Sequence, residues 1–325
     1  MTSDSLSPRA ARLRLAVPIG LVLAGLVLPA IANGFVLFQA TQVMVYAVAI
    51  LGLNLLVGFS GQLSLGHGAF FAIGAYTTAI FMGQYDLPYG LALMAAGVVA
   101  FVFGLLFGLP ALRLEGVYLA LATFSLAIAT PQILKLSVLT PLTGGSQGIA
   151  VSKPQAPLGL ALTDDQWLYY IALSITGTLY LVARNLVNSR SGLAMLAVKE
   201  DPVAAKAMGV NLSVYKMLAF GTSAAFNGVA GALSAMAVQY ISPDSFTFYL
   251  SASILVGLVV GGVGWLPGAF FGALFVLLVP NVAEGVSKGL SGAVYGAFLI
   301  ALIFFLPSGV STFRFTKLLR SRRKP

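Results

Sequence analysis

Uncharged apolar runs alternate with short polar connections along almost the whole chain, at about 15–32, 39–58, 62–82, 88–109, 117–135, 166–183, 217–240, 249–266, 268–284 and 290–307. A run near twenty residues matches the hydrocarbon core of a bilayer, and within lipid a helix satisfies its own backbone polar groups. The pattern predicts an all-α, polytopic integral membrane protein of about ten transmembrane helices, with both termini on one side. The first run allows a second reading, a signal peptide cut after the small-x-small sequence Ala30-Ile31-Ala32. Its length favours a retained span, and the later topology is the same either way.

The connection from Arg184 to Lys216 is the longest polar interruption that also carries a strong excess of one charge sign. Arg184, Arg190, Lys199, Lys206 and Lys216 stand there against Glu200 and Asp201. Within it, Asp201-Pro202-Val203-Ala204-Ala205-Lys206-Ala207-Met208-Gly209 predicts a short helix with both ends marked. Asp201 can accept from the first free N–H groups, Pro202 suits the first helical position, and Gly209 offers a left-handed stop. About two turns are marginal alone in water. Val203, Ala204, Ala207 and Met208 make a small apolar face, so the helix is expected either to lie in a groove of another subunit or to cap its own protein as a solvated loop.

Composition sharpens the class. The 325 residues are 59% apolar and 8% charged, with a mean hydropathy of +0.96. Soluble domains carry about 25% charge, so a soluble globular protein is excluded. The absence of cysteine excludes disulfides and cysteine-ligated metal or iron–sulfur sites. A net charge of +9 would suit nucleic acid, but its distribution is that of a membrane orientation signal. With the N-terminus inside, fifteen basic residues fall on the cytoplasmic side: Arg9, Arg12, Arg14, Arg113, the five of the 184–216 connection, and Arg314, Lys317, Arg320, Arg322, Arg323 and Lys324. Only Lys135, Lys153 and Lys288 fall outside. Both termini are therefore expected in the cytoplasm. The expected organisation is an N-terminal tail at 1–14, a transmembrane domain at 15–307 containing the cytoplasmic loop 184–216, and a basic tail at 308–325. The outer loop Leu136–Asp165, with Thr143-Gly144-Gly145-Ser146-Gln147-Gly148, suits turns and an external docking surface, or merely joins two spans.

Glycine recurs at four-residue spacing at Gly104/Gly108, Gly257/Gly261, Gly264/Gly268/Gly272, Gly285/Gly289 and Gly292/Gly296, a pattern that lets helices approach closely in lipid. A different glycine cluster, Gly58-Phe59-Ser60-Gly61-Gln62-Leu63-Ser64-Leu65-Gly66-His67-Gly68, combines four glycines with four polar side chains. It predicts a broken helix or tight turn beside a cavity, with amides exposed to meet a zwitterionic or amide-bearing solute. Asn54, Gln62, Ser64 and His67 are the candidate path residues, the alternative for His67 being a hydrogen-bonded packing role. A lone histidine cannot make a metal site. Gly257–Gly272 is a second weak place, and Gly-Ala-Phe-Phe occurs at both 68–71 and 268–271.

Two absences constrain the energy source. No Asp, Glu, Lys or Arg lies well inside an assigned span, although ion-coupled carriers commonly keep a carboxylate there. No Gly-x-x-x-x-Gly-Lys-Ser/Thr loop is present to cradle a nucleotide phosphate. Active transport would draw its energy from another subunit, with Pro202–Met208 as the point of entry.

Several stretches resemble a known family: Gly52 to Phe70, Arg113-Leu114-Glu115-Gly116-Val117-Tyr118-Leu119-Ala120, Thr143 to Gly148, Ala204-Ala205-Lys206-Ala207-Met208-Gly209, and Gly261-Gly262-Val263-Gly264. Together they look like the permease subunits of branched-chain amino-acid ABC importers, of the LivM type, over nearly the whole chain. In such permeases a Glu-Ala-Ala-x-x-x-Gly loop docks on the ATPase; here Val203 stands in place of the glutamate, followed by Ala204, Ala205 and Gly209. The resemblance implies a second permease chain of the LivH type, two cytoplasmic ATPase subunits that carry ATP and Mg, and a periplasmic solute-binding protein. It implies no cofactor in this chain, no enzymatic activity of its own and no nucleic acid. A multi-pass protein of the bacterial inner membrane is expected, moving a branched-chain amino acid, urea, an amide or another small carboxylate. Pro202, Val203, Ala204, Ala205, Ala207, Met208 and Gly209 would couple it to the ATPase. The main rival is an ion-coupled carrier, against which the empty spans argue. A membrane-embedded enzyme would need clustered ionisable groups that the sequence lacks.

Overall fold

The computed structural model describes residues 25–114, 116–157, 162–286, 296, 300, 301, 304 and 309–311. The N-terminal tail, most of the first and tenth runs and most of the C-terminal tail lie outside them. Eight of the ten apolar runs fall on helices: α1 (Gly34–Asn54), α2 (His67–Gly83), α3 (Tyr89–Ala111), α4 (Val117–Leu134), α5 (Asp164–Asn188), α8 (Leu212–Val238), α9 (Phe248–Gly261) and α10 (Gly268–Val286). Between α5 and α8 lie α6 (Arg190–Glu200) and α7 (Pro202–Ala207). Among the described residues the structure is all-α apart from one two-residue ladder, β1 (Ile149–Ala150) against β2 (Tyr240–Ile241).

Helix starts follow local chemistry. Asn33 accepts from Val36 N at 3.3 Å at the head of α1, and Thr163 and Gln166 form a reciprocal capping box at the head of α5. Among the described residues, four helices are long and apolar enough to cross a membrane by length and composition: Gly34–Phe59, Tyr89–Pro110, Val117–Leu134 and Asp164–Asn188. The other helices of the eight runs are shorter or richer in small and polar residues. α8 is the central post, packed against α1, α2 and α3, and its Gly-, Ala-, Ser- and Asn-rich surface meets protein rather than lipid. α9 has only 14 residues, about 21 Å at 1.5 Å per residue against about 30 Å of hydrocarbon. The run expected to begin at 62 becomes helical only at His67, because 61–66 is non-helical.

Small residues set the helix spacing. A Cβ on Gly74 would strike the Gly228 carbonyl, and one on Gly231 would strike the Phe71 carbonyl, so α2 and α8 touch backbone to backbone. The glycine pairs singled out in the sequence interlock similarly: Gly257 and Gly261 of α9 meet Gly272 and Gly268 of α10, while Gly104 of α3 lies on Ala224 of α8. Gly285 belongs to α10, whereas Gly289 and Gly292 lie outside the described residues.

The helix ends gather at two faces. At one, Gln84 donates to the carbonyls of Pro141 and Leu142, β1 pairs with β2, and Lys135 and Lys153 form ion pairs with Asp244 at 2.6 Å and Asp165 at 2.7 Å. This face carries residues 136–157 as a single α-helical turn at Thr140–Thr143, a 3-10 turn at Gly145–Gln147 and β1. At the other lie the connection between α1 and α2, the start of α4, and α6 and α7 with Arg190, Lys199, Lys206 and Lys216.

Candidate translocation and coupling site

The short helix of the polar loop forms as its sequence dictates. Asp201 Oδ1 accepts from Val203 N at 2.9 Å and Ala204 N at 3.0 Å, Pro202 takes the first helical position, and Gly209 stops the chain at φ +84°. Ala205 is buried against the protein. Ala204 and Ala207 are exposed, as are Val203 at 79% and Met208 at 85%, leaving an apolar face without cover. The sequence reading missed α6, although Ser189, which caps it through Gly192 N at 3.3 Å, and the spacing of buried Gly192, Met195 and Val198 mark a helix.

The glycine-rich stretch is the predicted break. α1 ends in a π-helical turn at Leu55–Phe59, Gly61 takes φ +71°, and α2 begins at His67. The amides expected to await a solute are instead held by the protein. Gln62 N donates to Leu56 O at 3.3 Å, Leu65 N to Thr123 Oγ1 at 2.9 Å, Gly66 N to Ser64 Oγ at 3.3 Å and Gly68 N to Ser251 Oγ at 2.9 Å. Irregular backbone at membrane depth persists only when neighbouring side chains satisfy it in this way.

All four candidate path residues are buried in or beside the break. Asn54 spans the two weak places: its Nδ2 donates to Trp265 O at 3.1 Å, and its Oδ1 accepts from Gly264 N at 2.9 Å. Ser64 and His67 join a chain of hydrogen bonds that the sequence could not reveal, because Ser223 comes from α8. Ser223 Oγ lies 2.6 Å from Gly52 O, a pure acceptor, so the hydroxyl proton goes there. His67 Nε2, 2.6 Å from Ser223 Oγ, must then be the donor, and Nδ1 accepts from Ser64 Oγ at 2.9 Å. The ring is thereby assigned as the neutral Nε2–H tautomer, hydrogen-bonded at both nitrogens.

Gln62 differs from the other three. Its Nε2 donates to Ser60 Oγ at 2.6 Å and Lys216 O at 3.3 Å, while its buried Oε1 has no protein partner. It borders an open cleft of about 190 Å³ lined by the break at Ser60–Gln62, by Leu114, Gly116 and Leu119, and by Val198, Lys199, Pro202 and Lys216. The break and the polar loop, far apart in sequence, thus share one cleft. Among the described residues no group of three or more His, Cys, Asp or Glu side chains could hold a metal ion.

Comparison with known proteins agrees with this architecture. Residues 35–305 match the family model described as branched-chain amino acid transport system / permease component. The high-affinity branched-chain amino acid transport system permease protein LivM of Salmonella typhimurium is 36% identical over 250 residues, covering 69% of this chain and 58% of that relative. The corresponding LivH of Escherichia coli is 26% identical over 289 residues (82% of this chain, 90% of the relative), and BraD of Pseudomonas aeruginosa is 26% identical over 284 (82% and 91%). The chain thus spans less than two thirds of the length of its LivM relatives. No solved structure matches it. With the family model covering most of its length, the chain belongs to the branched-chain amino acid transport system permease family.

Proposed function

We propose that this protein is a membrane-spanning permease subunit of an ATP-binding-cassette importer in the bacterial inner membrane. It moves a branched-chain amino acid or a related small polar solute such as urea, an amide or a carboxylate. It does so with a second, LivH-type permease chain, two cytoplasmic ATPase subunits that bind ATP and Mg, and a periplasmic solute-binding protein. The observation that carries this reading is α7, a capped helix whose apolar face lies uncovered on the face bearing most of the described basic residues. Exposed apolar side chains on so short a helix are best explained by a partner groove. The fold would have ten spans and both termini in the cytoplasm, with a permease domain over 15–307 between the tails at 1–14 and 308–325. Positive charge gathers on the α6–α7 face, which this reading makes cytoplasmic.

In this scheme Pro202, Val203, Ala204, Ala205, Ala207, Met208 and Gly209 form the ATPase-coupling element. Asn54, Gln62, Ser64 and His67 lie beside the path, with Gln62 at its cleft and the other three holding the break in shape. Transport would be powered by closure of the ATPase pair, and this chain would have no ATPase site of its own. The test is co-purification of the tagged chain from its native membrane, compared with a variant carrying both Ala204→Asp and Ala207→Asp. The parent is expected to bring an ATPase subunit with it, and the folded double variant to lose it. A parent that brings no ATPase even after mild crosslinking would make an ion-coupled carrier the better reading.

A further inference from the structure

In a continuing α-helix the Gln62 N–H would bond to the Gly58 carbonyl, four residues back. Here it bonds to Leu56 O, leaving the Gly58 oxygen open at the C-terminal end of the α1 turn. Lys199 fills it: its Nζ donates to Gly58 O at 2.9 Å. A cation at this end of a helix also meets the negative pole of the helix dipole. Its stem lies against the next turn of the break, where a Cβ on Gly61 would come within 2.8 Å of Lys199 Cγ. Lys199 sits in the last turn of α6, two residues before the Asp201 cap of α7. On the far side of Gly58, Asn54 joins the same turn to Gly264 and Trp265. The cleft lies between the start of α4 and α6, while the far end of the break is held on α4 by the bond from Leu65 N to Thr123 Oγ1.

We infer that Lys199 is a positioning residue that ties the α6–α7 elbow to the α1–α2 break, so that displacement of α7 shifts the break at the mouth of the cleft. This rests on the importer reading above and adds to it a contact outside the α7 face. A hydrophobic stem of the same length, as in Lys199→Met, keeps the packing on Gly61 and removes the donor. Lys199→Arg keeps a donor and a charge.

The chain has no cysteine, so a reporter can be placed in the break at Leu63, which is 46% exposed. In the co-purified importer carrying Leu63→Cys, labelling by a thiol reagent is measured with and without ATP and vanadate, alongside ATP hydrolysis. With Lys199 in place, the nucleotide is expected to change the labelling rate. With Lys199→Met, the complex should still assemble and hydrolyse ATP, while that change shrinks about tenfold, the scale of one lost charge-assisted hydrogen bond. Lys199→Arg should restore it. Gly61→Ala, strained at φ +71° and crowded against Lys199, should blunt it independently. A nucleotide response that survives Lys199→Met, or hydrolysis without any response when Lys199 is present, overturns the inference. So does a parallel loss of assembly in Lys199→Met with a normal response in Gly61→Ala. If no ATPase accompanies the chain that retains Lys199, the importer reading fails first and the inference falls with it.

Discussion

Ser223 has a single proton to give, and it goes to the carbonyl of Gly52, so one hydroxyl fixes both the tautomer of His67 and the seat of α8 on α1. Replacing it with alanine leaves the His67 Nε2–H without its acceptor in a buried site, a loss of about 1–3 kcal/mol. Ser223→Ala should therefore lower the melting temperature of the detergent-solubilised protein. A melt identical to that of the parent would show that the bond chain from Ser64 to Gly52 holds nothing. Individual residues also show what a sequence can and cannot announce. Asp201, Pro202 and Gly209 were legible because each acts within its own turn, and the structure gives each the expected role. Ser223, Ser251 and Thr123 were not, since each acts on a backbone group more than fifty residues away, and nothing local marks such a partner. Lys199 registered in the sequence only as one positive charge among five, because its contact with Gly58 exists only after α6 and α1 have met.

At the scale of elements, the same division holds between what is periodic and what is relational. Apolar runs located the long helices well, and glycine with serine located the break, because both are statements about one segment. The start of the 62–82 run, residues 62–66, lies inside the predicted break and is not helical. Its leucines, Leu63 and Leu65, are apolar, but the flanking Gly61, its own Gly66 and the acceptors on α4 and α9 make a non-helical path stable there. Glycines that look alike in sequence divide sharply in the structure. Gly231 of α8 has the Phe71 carbonyl where its Cβ would be, whereas Gly177 of α5 has open space. Gly231→Ala must push α2 and α8 apart, an overpacking that costs about 1–3 kcal/mol. Gly177→Ala adds helix propensity without a clash and should be neutral or stabilising by up to about 1 kcal/mol. Thermal melts of the two variants in the same detergent should diverge in sign, and equal behaviour would remove the argument that the α2–α8 contact is backbone-tight.

For the whole molecule, the expected orientation follows from which face carries the excess of positive charge. Lys135 and Lys153, on the face with β1 and β2, are each paired with an aspartate, and Asp86 and Asp164 lie on loops or helix starts at that face. The α6–α7 face carries Arg190, Lys199, Lys206 and Lys216 against Glu200 and Asp201. A membrane that retains positive charge on its cytoplasmic side would hold the α7 face inside and residues 136–157 outside. Because no native cysteine interferes, two single replacements read this directly. Val138 is 84% exposed on the β1–β2 face and Val203 is 79% exposed on α7. Val138→Cys should react with a membrane-impermeant maleimide in spheroplasts, and Val203→Cys only in inverted vesicles. Val203→Cys carries a second reading, because an ATPase seated on α7 should slow its labelling in the assembled complex. The reverse pattern of labelling would turn the molecule over and put α7 beyond the reach of any cytoplasmic ATPase, so this one pair of variants tests the orientation and the coupling role together.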